Sequence, residues 1–276
     1  MDIVTSPRIE AMVFDAMFTL LLAKGSRRKM MAKIFLKHLR RIAKRLGIKF
    51  RPSKGFARRL MRITKRVREA TPPTQDYGRD WSRVNRRIAA EMLGVSEELV
   101  LMEEGLAIHQ EVLSDPDHYE VPRNIREMLK LAKKLGFRLA IASNQNEADL
   151  LPMLAKHKIG DFFEKVLCSD KLGICKPDPD FFKRAYAEIG VASESVCYIG
   201  NSIRNDLSAA WIGSRVVLID YDGGLKINET GGGLYLVKVV RNIEELCDWL
   251  GEQAKSPIKG PAKASDAAVS RRAVNE

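Results

Sequence analysis

The 276-residue chain is 45% hydrophobic and 30% charged, a globular balance with more charge than average. No stretch approaches the ~20 apolar residues that span a bilayer, and residues 1–8 lack the basic-then-apolar pattern of a secretory leader; the chain therefore reads as cytoplasmic with no membrane partner. The formal net charge of +12 favours anionic partners: phosphorylated metabolites, nucleotides, nucleic acid or acidic lipid.

Residues 9–14 are mostly apolar and end at Asp15, the pattern of a buried parallel strand. Residues 26–113 then read as wholly helical. Their segments run over about 27–46, 53–70, 79–93 and 97–113, broken at Gly47, at Thr71-Pro72-Pro73, and at Gly94 with Ser96 as an N-cap. Between Arg27 and Arg87 stand 22 Lys and Arg against Glu69, Asp76 and Asp80, so the positive charge is concentrated here. Positions Met31, Ile34, Phe35, His38 and Ile42 form one apolar helix face, which leaves open whether the charged face is merely solvated.

Strand patterns resume at 137–142, 165–168, 195–199, 215–219 and 234–239, the last suited to a sheet edge. Amphipathic segments at 124–135, 147–157, 179–189, 206–212 and 243–250 separate them. This alternation predicts an α/β fold: a Rossmann-like, doubly wound parallel sheet with an inserted α-helical cap. The expected division is a core of 1–22 and 119–251, a basic cap of 23–118, and a disordered tail of 252–276. The glycines at 231–233 precede a strand rather than a helix, so a turn is expected there rather than a phosphate loop. The cysteines Cys168, Cys175, Cys197 and Cys247 form no Cys-x-x-Cys pair, and neither a disulfide nor a structural zinc is expected.

Four separated pieces carry chemistry. They are Asp15-Ala-Met17-Phe18-Thr19 after the first strand, Ser143-Asn144 after the second core strand, Lys176-Pro-Asp-Pro, and Gly200-Asn201-Ser202-Ile-Arg-Asn205-Asp206. In open α/β sheets, ligands sit at the carboxyl ends of the strands, where Asp15, Ser143 and Asn201 fall. In order and context the pieces resemble the four signature motifs of the haloacid dehalogenase-like hydrolase superfamily, with its helical C1-type cap, over residues 9 to about 250.

That resemblance implies a phosphatase acting on a small phosphorylated substrate. Asp15 would attack phosphorus and form an aspartyl-phosphate, Lys176 would neutralise charge, and Ser143 would donate hydrogen bonds. Thr19 and Asn144 would support the substrate. A Mg²⁺ would be held by Asp15, the Met17 main-chain carbonyl, Asn201 and Asp206.

Two departures stand out. The family's second Asp, which protonates the leaving oxygen, is replaced by Met17, and the first Asp of the last motif is Asn201. Loss of a general acid costs ~10²–10⁴-fold, and a neutral amide weakens the metal site. A glycine often precedes the motif's Thr; here that residue is Phe18, which is expected to crowd the site. The departures keep two alternatives open: a metal-free haloacid dehalogenase-like hydrolase, or a degenerate scaffold whose basic cap binds an anionic partner such as RNA. The second is not favoured, because no nucleic-acid motif appears beyond charge. Substrate identity and oligomeric state stay open.

Overall fold

The structure, a computed structural model, describes residues 8–71, 77–225 and 236–255. The predicted break at Pro72-Pro73, the glycines at 231–233 and most of the expected tail lie outside these residues. The strands are β1 Ala11–Phe14, β2 Leu22–Ala23, β3 Tyr119–Glu120, β4 Arg138–Ser143, β5 Lys165–Cys168, β6 Val196–Gly200, β7 Arg215–Ile219 and β8 Leu236–Val240. The helices are α1 Arg27–Arg45, α2 Phe56–Glu69, α3 Tyr77–Leu93, α4 Met102–His109, α5 Ile125–Lys134, α6 Glu147–Lys156, α7 Ser169–Leu172, α8 Pro179–Ile189, α9 Ile203–Asp206 and α10 Ile243–Lys255.

Six strands form one parallel sheet in the order β5-β4-β1-β6-β7-β8, with β8 at the edge. Each central strand is apolar on both sides, and its alternate residues enter different cores. Met12, Phe14, Leu139, Ile141, Cys197 and Ile199 pack with Met128 and Leu129 of α5, Leu150 of α6 and Leu246 of α10. Ala11, Val13, Ala140, Ala142, Val196 and Tyr198 pack with Phe181, Phe182 and Tyr186 of α8. Burial on both faces explains why these strands read as continuous apolar runs. The sheet is therefore a Rossmann-like α/β core, with helices on both sides.

The chain leaves the sheet after β1, forms α1 to α4, and returns through a π-helical turn, Gln110–Ser114. The antiparallel pair β2 and β3 ties the two ends of this helical insertion together. α1 buries Met30, Met31, Ile34, Phe35, His38, Leu39 and Ile42, so its apolar stripe is spent on packing.

Three expectations are corrected. The helix expected over 97–113 is a 3₁₀ turn, Glu97–Leu99, followed by α4 and the π turn. The Arg86 side chain donates to the carbonyls of Glu97 and Val100, which ends the first turn there. The segment at 206–212 is the 3₁₀ stretch Leu207–Ile212. α10 runs to Lys255, past position 252 where the tail was expected to start.

Candidate active site

Asp15 follows β1, Ser143 ends β4 and Asn201 follows β6. Because β1 lies between β4 and β6, all three meet at the carboxyl end of the sheet, where the strand order reverses. They line a cavity of about 340 Å³ together with Met17, Asn144, Lys176 and Asp206. The helical insertion supplies Arg27, Arg68 and Trp81 to the same cavity.

Lys176 organises the site. Its ammonium donates to Asp15 Oδ1 at 2.7 Å, Asp206 Oδ1 at 2.7 Å and the Tyr198 hydroxyl at 2.8 Å. An ammonium has three N–H donors, so all three are engaged. Tyr198 completes the network. Its hydroxyl has the Ala142 carbonyl oxygen at 3.0 Å and Asp206 Oδ1 at 3.3 Å as acceptors for its one proton. Burial pushes the Asp15 carboxyl up; the Lys176 ammonium opposes this and the Asp206 charge adds to it, leaving Asp15 raised to about 6. For Lys176, the two carboxylates outweigh burial, and the ammonium is held above its ordinary value.

Asp206 is held on both oxygens. Oδ1 accepts from Lys176 and lies near the Tyr198 hydroxyl, while Oδ2 accepts the backbone N–H groups of Asn201 at 3.0 Å and Ser202 at 2.9 Å. Three donors hold the carboxylate, and the Tyr198 hydroxyl adjoins its fourth acceptor position. Asp206 thus anchors Lys176 and the loop after β6, and a metal would reach it only by displacing one of these partners. A Cβ at Gly200 would lie 2.4 Å from Asp206 Oδ2, which is why glycine stands at this turn.

Two residues expected at the substrate also bond within the protein. The Asn144 amide donates to the Lys176 carbonyl at 3.0 Å and accepts from the Lys176 N–H at 2.7 Å. Both of its ends therefore position the lysine backbone. Thr19 is fully buried, its hydroxyl directed at Asn201 Oδ1 at 3.5 Å, and it is not part of the cavity wall. Ser143 Oγ accepts the Gln145 N–H at 3.2 Å and keeps its own proton for donation. Phe18 has φ of 62°, the left-handed region where glycine is at ease. Its ring stacks under the Arg27 guanidinium, with 4.1 Å from the guanidinium carbon to the ring centroid.

Sequence reasoning missed Tyr198, Arg27, Arg68 and Gln145. Gln145 is buried on the cavity wall and donates to the Leu113 carbonyl at 2.8 Å, joining the core to the end of the insertion. Among the described residues, no three His, Cys, Asp or Glu side chains gather as a metal cluster, and no helix is long and apolar enough to cross a membrane. For Mg²⁺, the donors that remain are Asp15, the Met17 carbonyl and the Asn201 amide oxygen. Their type fits a hard cation that retains several waters, with a single formal negative charge among them.

A parallel sheet with a carboxylate at the end of its central strand and a buried lysine beside it defines a hydrolase-type α/β site. The family model for haloacid dehalogenase-like hydrolases matches residues 55–219, and the chain belongs to that family. A phosphoglycolate phosphatase of Pseudomonas savastanoi pv. phaseolicola is 26% identical over 183 residues, 65% of this chain and 66% of that protein. A glyceraldehyde 3-phosphate phosphatase of Pyrococcus abyssi is 32% identical over 103 residues, 37% of this chain and 43% of that protein. The matches thus span less than two thirds of either relative. The crystal structure of the HAD-hydrolase YfnB from Bacillus subtilis, bound to magnesium, shares the fold with a TM-score of 0.64 at 16% identity, covering 89% of this chain and all of that one.

Proposed function

We propose that this chain is a phosphatase that hydrolyses a small phosphomonoester through an aspartyl-phosphate on Asp15, with the helical insertion acting as a cap over the site. The carrying observation is the Asp15 carboxylate, held at 2.7 Å by a buried lysine at the mouth of the central strand, inside a cavity shared with cationic side chains of the insertion. The phosphatase names of the sequence relatives support the reading.

In the first step Asp15 attacks phosphorus, the new O–P bond forms and the ester P–O bond breaks. In the second, water attacks the same phosphorus and releases phosphate, restoring the carboxylate. Lys176 holds Asp15 in place and offsets its charge, and the Ser143 hydroxyl donates to a phosphoryl oxygen. Met17 cannot protonate the departing oxygen, so esters whose leaving group needs no proton react best. Asp15, the Met17 carbonyl and Asn201 would hold Mg²⁺, which when bound screens the repulsion between the carboxylate and the phosphoryl group. The four cysteines are free, in keeping with a cytoplasmic setting.

Purified protein and Asp15→Asn are incubated with acetyl phosphate, p-nitrophenyl phosphate, 2-phosphoglycolate and glyceraldehyde 3-phosphate, with and without Mg²⁺. Mg²⁺-stimulated phosphate release that is absent in the variant is the expected result. Equal release by the variant would refute Asp15 as nucleophile, and no release from any of the four would refute the phosphatase reading.

A further inference from the structure

The positive charge of this chain has one source. Residues 16–68 hold 19 Lys and Arg and no Asp or Glu, while the other 223 residues hold 28 Lys and Arg against all 35 acidic residues. Outside this segment the protein is acidic on balance, and the surplus lies on α1, α2 and the turns beside them.

Folding sorts these cations onto the outside of the insertion. Every exposed residue of α1 is Lys or Arg, and so is every exposed residue of α2 except Glu69. On α1, Lys29, Lys33, Lys37, Arg40, Arg41 and Lys44 recur at three- and four-residue steps. They form one solvent-facing row, about 22 Å long at 1.5 Å per residue. α2 packs beside α1 and adds Arg58, Arg59, Arg62, Lys65 and Arg66 on its own outer side. None of these eleven side chains lines the 340 Å³ cavity.

Nearby carboxylates neutralise few of them. Lys37 pairs with Glu111, Lys65 with Glu69 and Arg66 with Glu91, and Arg41 acts on Glu104 at longer range. Lys29, Lys33, Arg40, Lys44, Arg58 and Arg62 have no ion pair among the described residues. A helix face that is merely solvated gains from acids interspersed at i,i+4 spacing, whereas like charges at that spacing oppose the helix. α1 carries this repulsion over about four turns, and a polyanion laid along the row relieves it.

The partner's chemistry follows from what the rows lack. The apolar sides of both helices are buried in the insertion, so neither has an apolar face to lay into a lipid interface. No exposed residue of either helix is aromatic, so unstacked bases find no platform. A duplex presents one phosphate charge per ~1.7 Å of its axis, a regular partner for a straight row of cations. We propose that the outer face of α1 and α2 binds the phosphate backbone of double-stranded nucleic acid, without regard to base sequence. The inference does not rest on the chemistry at Asp15.

The test titrates the full chain into labelled DNA and RNA duplexes of about 20 base pairs and into the matching single strand, over a range of NaCl, by fluorescence anisotropy. Polyglutamate and phosphatidylglycerol-containing vesicles are the competitors. Duplex binding is expected at low salt, with log affinity falling against log salt at a slope of about −4 or steeper, the mark of five or so phosphate contacts. Lys33→Gln, Arg40→Gln and Lys44→Gln, made together at exposed positions, are expected to flatten that slope by about 2–3 and weaken binding about 10²-fold. Arg123→Gln, Lys130→Gln and Lys134→Gln, made together, remove the same charge from exposed positions of the core and are expected to leave binding unchanged. Circular dichroism checks both triple variants, and Arg58→Gln with Arg62→Gln on α2 reads the same kind of loss if the α1 triple does not fold.

Absence of duplex binding at low salt overturns the inference, as does an affinity insensitive to salt. Equal weakening in the core triple also overturns it, because net charge alone is then the cause. So does a single strand, polyglutamate or a vesicle held as tightly as the duplexes. A preference for one duplex over the other upholds it and names the nucleic acid.

Discussion

Replacing Lys176 with Met tests the site's electrostatics most directly. The residue is 3% exposed and lies between Asp15, 7% exposed, and Asp206, 1% exposed. Methionine fills a similar volume and donates nothing, so two buried carboxylates lose their common cation. Removing one partner of a buried ion pair costs about 3–5 kcal/mol, which lowers a urea midpoint by about 1–2 M for a slope near the upper end of the usual range.

The pH dependence has a definite sign. Without the lysine, burial raises the Asp15 carboxyl with no cation to oppose it, so its folded pKa stays above the unfolded value. The destabilisation from Asp15 is then absent below the unfolded pKa and grows as pH rises toward the folded one. Asp15 already sits at about 6 with the lysine present, so in Lys176→Met the deficit at pH 8 exceeds that at pH 5. Asp206→Asn in the same background recovers part of the loss at pH 8. Urea unfolding followed by circular dichroism at both pH values is the assay. A midpoint at pH 8 indistinguishable from the unsubstituted protein, or a deficit independent of pH, would show that these groups are not held together as described.

Three further outcomes are expected. At trace Mg²⁺, kcat/KM for acetyl phosphate should fall on the acid side of pH about 6 as Asp15 takes up a proton, and saturating Mg²⁺ should move that limb lower; a flat profile between pH 5 and 7 speaks against Asp15 as the attacking base. Asn201→Asp restores a formal charge beside Asp15 and should lower the Mg²⁺ concentration for half-maximal activity by about tenfold, measured by Mg²⁺ titration of p-nitrophenyl phosphate turnover. Met17→Asp supplies a group able to protonate a leaving oxygen on the cavity wall. It should raise turnover of an alkyl phosphate about 10²-fold or more while changing acetyl phosphate turnover little, read from the ratio of the two kcat values.

The sheet was legible because its strands are short apolar runs separated by amphipathic helices, and burial on both faces leaves that signature. What escaped was set by long-range contacts. The break at Val100 has no glycine or proline to announce it, and depends on Arg86 reaching from α3 to the carbonyls of Glu97 and Val100. β2 and β3, two residues each, are too short for any period. Asp15, Ser143 and Asn201 could be found by their position at strand ends, and Lys176 and Asp206 by the motifs that resemble the family's. Tyr198 could not, since a tyrosine inside Val196–Gly200 looks like core, and its aromatic ring is core. Asn144 has a motif position but spends its amide on the backbone of Lys176, which only the fold reveals. Arg27 and Arg68 stand among 22 basic residues between Arg27 and Arg87 with nothing local to single them out.

Asp15 and Asp206 carry two negative charges against the single positive charge of Lys176, so the reacting centre is negative before substrate arrives. A phosphoryl dianion entering that centre meets repulsion that Lys176, already shared between two carboxylates, cannot remove. The family's usual remedy is weakened by Asn201, which brings no charge to the metal position. Arg27 and Arg68, on the same cavity wall, bring positive charge that would offset part of that repulsion. They would act on a phosphoryl group only when it lies in the cavity that they line, so the insertion would contribute to its approach to Asp15.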